Sequence, residues 1–171
     1  MKIAICENEK ATLDHHVRML RELSCESRFD IDVVLACSTQ DEFERFLETD
    51  TADVYLLDIN LESGMEGYDL AMKIKEIQPQ AYVVFISEYL GLVFQSFKAH
   101  PFDFLPKPAS KNVLNNLLID INRDMAVQKQ AAEPADGTRT IIIRSAAKNY
   151  HVNKDDIIMI EKMKDKAFVY T

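Results

Sequence analysis

Four apolar runs in this chain end in polar side chains that could together handle a phosphoryl group. Ile3-Ala4-Ile5-Cys6 runs into Glu7-Asn8-Glu9, and Val54-Tyr55-Leu56-Leu57 ends on Asp58. Tyr82-Val83-Val84-Phe85-Ile86 ends on Ser87, and Phe102-Asp103-Phe104-Leu105 leads to Lys107-Pro108. An acidic cluster, a carboxylate, a hydroxyl and an amine are what a hard cation and a phosphoryl group require. Magnesium takes one or two carboxylates, carbonyl oxygens and several waters. Asp58 can act as ligand and as nucleophile, and a carbonyl in the loop after it can add a contact. Phosphoryl transfer needs little beyond positioning and neutralisation of the equatorial oxygens. The Lys107 ammonium, the Ser87 hydroxyl and the cation would each cover one of them.

These groups act together only if their strands are neighbours that point the same way. Strand candidates fall at 2–6, 31–37, 53–57, 82–86 and 102–105, short and in several cases apolar without alternation, as in strands buried on both faces. Helix candidates lie between and after them. Residues 10–25 carry Leu13, Val17 and Leu20, residues 40–48 carry Phe43, Phe46 and Leu47, and residues 67–77 carry Leu70, Ile74 and Ile77. A weaker pattern covers 90–98 (Leu90, Val93, Phe94, Phe97), and residues 110–124 carry Val113, Leu114, Leu117, Leu118 and Ile121. All have i, i+3/i+4 spacing. Thr39 and Ser110 are the expected N-caps of the second and last helices.

Five consecutive βα units predict an α/β fold: a flavodoxin-like, five-stranded parallel sheet of order 2-1-3-4-5 flanked by five helices. In that order strands 1 and 3 are adjacent. The acidic cluster then faces Asp58 outside the carboxyl ends of the strands, where open α/β sheets carry their ligands.

The pattern changes after residue 125. Residues 126–138 lose apolar periodicity and end in Pro, Asp and Gly, which predicts the end of a helix and a linker. Thr140–Arg144, Tyr150–Val152, Ile157–Ile160 and Ala167–Tyr170 then read as short strands with no helix between them. The first two could pair through a turn at 146–149. This partial β segment, 139–171, is small for an independent core.

Composition narrows the function classes. Hydrophobic residues make up 47% and charged residues 28% of 171 residues, as in ordinary globular proteins. No apolar run reaches the ~18 residues of a membrane span, and the N-terminus enters a strand pattern directly. A cytoplasmic protein with no membrane partner is expected. Cys6, Cys25 and Cys37 lack CxxC spacing, and two of them sit in strand-like runs as small buried thiols. The histidines form no ligand pattern. Residues 1–125 hold 12 Lys and Arg against 22 Asp and Glu, whereas residues 126–171 hold 8 against 6. The acidic front segment is unsuited to gripping nucleic acid directly, whereas the mildly basic tail leaves that role open.

Across residues 1–125 the ordered set resembles the receiver domain of bacterial two-component response regulators. The resemblance implies that Asp58 in Leu-Leu-Asp58-Ile-Asn60 is the phosphoacceptor, with the Asn60 carbonyl as a magnesium ligand beside Glu7, Asn8 and Asp58. Gly67 matches the glycine after that loop, and Ser87 and Lys107 match the phosphate-binding residues, the latter before a proline usually joined in cis. Ser87 and Phe104 match the switch positions. The chain departs from the pattern at Asn8, where the family carries a second acid. Loss of one charge 4 Å from a cation forfeits up to roughly 4 kcal/mol at an effective dielectric of 20. Glu7 and Glu9 offset this in part, and a lowered magnesium affinity is expected. The tail resembles the opening strands of a LytTR-type DNA-binding domain over Thr140–Ser145, Asn149–Val152 and Asp155–Glu161. The combination is similar to AgrA-like regulators.

The expected function is a response regulator that takes a phosphoryl group on Asp58 from a sensor histidine kinase and controls transcription through a LytTR-type output. DNA contact would need a complete LytTR domain, and a homodimer is a further expected partner. Such a protein assists its own phosphorylation and dephosphorylation but is not a turnover enzyme. Asn8 keeps a second class open: a phosphorylation-independent pseudo-receiver that acts as a protein-interaction module. A haloacid-dehalogenase-type phosphatase fits less well, because it needs an acid at position 60. Singly, the residues have plainer readings: Asp58 as a turn residue, Ser87 as a helix cap, Lys107 as a surface charge and Phe104 as core.

Overall fold

The computed structural model describes residues 1–26, 29–61, 66–88, 99–132, 140–144, 149–153, 159–163 and 166–170, with side chains as far as Lys129. Five strands form one parallel sheet: β1 (Lys2–Cys6), β2 (Asp32–Cys37), β3 (Val54–Leu57), β4 (Tyr82–Ser87) and β5 (Asp103–Pro106). Their order is β2-β1-β3-β4-β5. All four pairings are parallel. Four helices are described: α1 (Lys10–Glu26), α2 (Gln40–Thr49), α3 (Glu66–Ile77) and α4 (Lys111–Ala132). The helix expected at 90–98 lies outside the described residues.

Strand alternation divides the core into two layers. Ala4, Cys6, Tyr55, Leu57, Val83 and Phe85 share one face with Phe43 of α2 and Leu70, Ala71 and Ile74 of α3. The alternate residues Ile3, Ile5, Val54, Leu56, Val84 and Ile86 are equally buried. Leu13, Leu20 and Leu23 of α1 and Leu114, Leu117, Leu118 and Ile121 of α4 bury their own apolar faces as well. Lys111 ties α4 to α1 through Glu22 at 2.9 Å and Glu26 at 2.8 Å. β3 and β4 therefore have no solvent face, which explains their unbroken apolar runs. The edge strand β2 is only half-buried until Cys37.

Both expected caps are present. Thr39 accepts a hydrogen bond from the Glu42 N–H at 3.3 Å, and Ser110 accepts one from the Val113 N–H at 3.4 Å. The last helix runs beyond the 110–124 pattern and ends at Ala132, inside the segment read as a helix end and linker. Met125-Ala-Val-Gln-Lys-Gln-Ala-Ala132 lacks an apolar stripe but is rich in strong helix formers. Gln128 adds an i, i+4 hydrogen bond to Asp124 at 2.7 Å. Cα packing divides the chain into two units, Met1–Asn122 and Arg123–Thr171.

In the second unit β6 (Thr140–Arg144) pairs antiparallel with β7 (Asn149–Asn153), Ile142 opposite His151. β8 (Met159–Met163) pairs with β9 (Lys166–Tyr170), Glu161 opposite Phe168. β8 covers the second half of the run expected at Ile157–Ile160, and Ile157 and Ile158 lie outside the described residues. The proposed turn between β6 and β7 falls mostly outside the described residues.

Candidate functional site

The carboxyl ends of β1, β3, β4 and β5 carry the predicted groups to one edge of the sheet. Parallel register sets them level. The Asp58 N–H donates to the Cys6 carbonyl at 2.9 Å, and the Glu7 N–H donates to the Cys37 carbonyl at 3.1 Å. The Lys107 N–H donates to the Ser87 carbonyl at 3.1 Å. Each ladder thus runs one residue past its strands and brings the ends of β1, β3, β4 and β5 level at one edge. A cleft of about 180 Å³ opens there, lined by Asn8, Glu9, Asp58, Asn60, Ser87, Glu88 and Lys107.

Lys107 organises this edge. Its ammonium lies 2.7 Å from Asp58 Oδ2 and 2.6 Å from Glu7 Oε2. All three side chains are at least nine-tenths buried. Burial pulls the lysine pKa down, but the two carboxylates outweigh it and hold the ammonium above its ordinary range. Glu7 moves the other way from most paired acids. Burial pushes its pKa up, and the opposing pull of Lys107 and the Glu9 N–H does not cancel that push. With both carboxyls ionised, the trio carries one negative charge in excess, which favours a cation nearby.

The loop after β3 is held by close backbone packing. The Asn60 N–H donates to Asp58 Oδ1 at 3.3 Å, and the Gly67 N–H donates to the Ile59 carbonyl at 3.1 Å. A Cβ on Gly67 would stand 1.8 Å from the Asp58 carbonyl oxygen, so only glycine fits there. The Lys107-Pro108 peptide is cis.

Asp58, Ser87, Lys107, Asn8 and Asn60 thus meet at one cleft. Glu7 reaches the group through Lys107 and does not line the cleft. Phe104 lies apart from it: the ring is half-buried and packs on Phe85, centroids 5.6 Å apart. Glu88 was not singled out in the sequence, although its place directly after Ser87 signals it. The donor set is all oxygen, which suits a hard cation. Among the described residues no three His, Cys, Asp or Glu side chains converge on one metal-sized point. Neutral oxygens and water would have to complete a shell, as magnesium prefers.

A model of the response regulator receiver domain matches residues 3–119. The chain belongs to that family. Beyond the receiver, the similarity extends to longer proteins. Accessory gene regulator protein A of Staphylococcus epidermidis is 25% identical over 164 residues, spanning 94% of this chain and 68% of the relative. The Staphylococcus aureus protein is 24% identical over 166 residues, with the same coverage. Among solved structures, the response regulatory domain of mrkE from Klebsiella pneumoniae superposes on 75% of this chain and 100% of its own, with a TM-score of 0.65 and 23% identity. A CheY-like receiver from Methanospirillum hungatei covers 77% of this chain and 98% of its own at a TM-score of 0.62 and 22% identity. These structures share the receiver fold. Among the described residues no helix is long and apolar enough to cross a membrane.

Proposed function

We propose that this receiver takes a phosphoryl group on Asp58 from a phosphohistidine of a sensor histidine kinase and transmits that state to a LytTR-type, DNA-binding output. The observation that carries the reading is the Lys107 ammonium 2.7 Å from Asp58 Oδ2 beside the cleft that Ser87 also lines. An Asp58 oxygen would attack phosphorus in line with the departing imidazole nitrogen. The P–O bond forms as the P–N bond breaks. The nitrogen keeps the electron pair and takes a proton from solvent, leaving an acyl phosphate on Asp58.

Charge that develops on the phosphoryl oxygens lies within reach of Lys107, which exchanges its contact with Asp58 for one with the new group. The Ser87 hydroxyl binds a second oxygen. Asp58, the Asn60 carbonyl and the Asn8 amide oxygen would hold a magnesium ion, which supplies positive charge to the third. Movement of Ser87 toward the phosphate would free space for Phe104 and reshape the surface around Glu88 and residues 99–105 for a homodimer contact. Residues 139–171 would be the opening strands of the LytTR domain, whose complete form would grip DNA and control transcription. The chain ends one cycle by hydrolysis of its own acyl phosphate and does not turn over an external substrate.

Incubation with magnesium and a small acyl phosphate should add one phosphoryl group, visible by intact mass. An Asp58→Ala variant that still takes it up refutes the assignment. Asn8 supports a second reading, a pseudo-receiver that binds partners irrespective of phosphate. Unchanged oligomeric state after stoichiometric phosphorylation would favour that alternative.

A further inference from the structure

The receiver reading calls for a negative charge beside Asp58 on the β1 side of the cleft, and Asn8 brings none there. Two carboxylates flank Asn8, and their environments differ. Glu7 is 2% exposed and fully engaged: Oε2 lies 2.6 Å from the Lys107 ammonium, and Oε1 accepts the Glu9 N–H at 3.1 Å. It does not line the cleft. Glu9 does, together with Asn8, Asp58 and Asn60. The Thr12 hydroxyl, from the first turn of α1, donates to Glu9 Oε2 at 2.6 Å. That bond orients the carboxylate of a residue that lines the cleft.

Glu88 is the other carboxylate on the lining, but topology sets it apart. β3 lies between β1 and β4, so Glu9 and Glu88 follow strands on opposite sides of Asp58. Glu88 follows β4 directly after Ser87, the hydroxyl that would take a phosphoryl oxygen. Glu9 stands on the side of Asn8, which suits a cation.

We propose that Glu9 supplies the second negative charge of a divalent-cation site centred on Asp58, in place of the neutral Asn8. The inference rests on the receiver reading, since that reading calls for the cation. A carboxylate one residue further along is longer and exposed, so it would act directly or through one ordered water. The site keeps its charge but loses rigidity. Magnesium binding should therefore be measurable, yet weaker than with an acid at position 8.

The test is a magnesium chloride titration of the unphosphorylated full chain, followed by amide shifts of Asp58 and Asn60. The unaltered chain should saturate, and Glu9→Gln should weaken binding about tenfold. Asn8→Asp should tighten it by a similar factor. Asn8→Asp in the Glu9→Gln background should restore most of the loss, which a structural role for Glu9 through Thr12 would not predict. Glu88→Gln should weaken binding less than Glu9→Gln. Unsaturable binding, a Glu9→Gln affinity within twofold of the unaltered chain, a loss that Asn8→Asp leaves in place, or a larger loss in Glu88→Gln overturns the proposal. Intact mass after treatment with an acyl phosphate separates the two claims. Phosphorylation of Asp58 with no Glu9 effect on magnesium sinks this inference alone. A Glu9-dependent magnesium site on a chain that never takes up phosphoryl sinks the phosphoacceptor reading alone.

Discussion

Gly67, in the first turn of α3, lies directly against the backbone carbonyl of Asp58. A Cβ at position 67 would stand 1.8 Å from that oxygen and 2.9 Å from the Cα of Ile59. Both obstacles are backbone, so a rotamer change relieves neither. Gly67→Ala should push the loop away from α3 or pull the helix off the core that Leu70, Ala71 and Ile74 fill. Overpacking of this kind costs about 2 kcal/mol or more, which lowers the melting temperature by ~10 °C in a domain of this size. Calorimetry checks the stability. A variant that melts within ~2 °C of the unaltered chain would show that the contact is softer than the geometry implies.

Lys107 is the counter-ion of two buried acids at once. Its removal in Lys107→Ala leaves Glu7 and Asp58 facing each other without a cation, and breaking such a buried pair costs about 3–5 kcal/mol. Urea denaturation should register that loss. Glu7→Gln in the same background removes one of the stranded charges and should recover at least about 1 kcal/mol. Additive effects of the two substitutions would mean that Glu7 and Lys107 are not coupled in solution.

The convergence of Asp58, Ser87 and Lys107 was legible because each ends an apolar run, and parallel strands in the order 2-1-3-4-5 bring such ends to one edge. Gly67 was legible as part of the same ordered pattern. The partner of Glu7 was not. Lys107 follows β5, and its side chain passes the end of β4 to reach Asp58 and then Glu7. Nothing in local sequence says whether a carboxylate after β1 will face a lysine or a cation. How far α4 reaches into the segment after residue 125 was not legible, for a different reason. Apolar periodicity reports which face of a helix is buried, whereas Ala126 to Ala132 form helix on intrinsic propensity without such a stripe.

The three thiols should react in two classes. Cys25 is exposed, whereas Cys6 and Cys37 are buried next to each other in register on β1 and β2. Their sulfurs share the Thr39 carbonyl, each at 3.7 Å. The Cys37 hydrogen bond and burial push the Cys6 thiol well above its ordinary range, so little thiolate forms there. A thiol-reactive reagent should label one cysteine rapidly in the folded chain, mapped by mass to Cys25, and all three after unfolding. Rapid native labelling of Cys6 would contradict the packing of β1 against β2.

His16 should make part of the stability depend on pH. It is 2% exposed on α1, and burial first, then the nearby His15 and Lys107, lowers its pKa from 6.5 to about 4, against a smaller opposing pull from Asp58. Between those values the unfolded chain binds a proton that the folded chain refuses. The contribution of neutral His16 is therefore complete above pH 6.5 and lost as pH falls to about 4, to the extent of up to ~3 kcal/mol. Glu22, Glu44 and Asp50 have lowered pKa values, so what they contribute is lost mainly below pH 4.5. Glu7, raised by burial, acts with the opposite sign, because its protonation favours the folded chain as pH falls. The informative quantity is thus the difference between the unaltered chain and His16→Leu, taken from urea denaturation at several pH values. The variant should lose less stability between pH 6.5 and 4.5. Parallel curves over that interval would place the His16 proton in the folded state and contradict its burial.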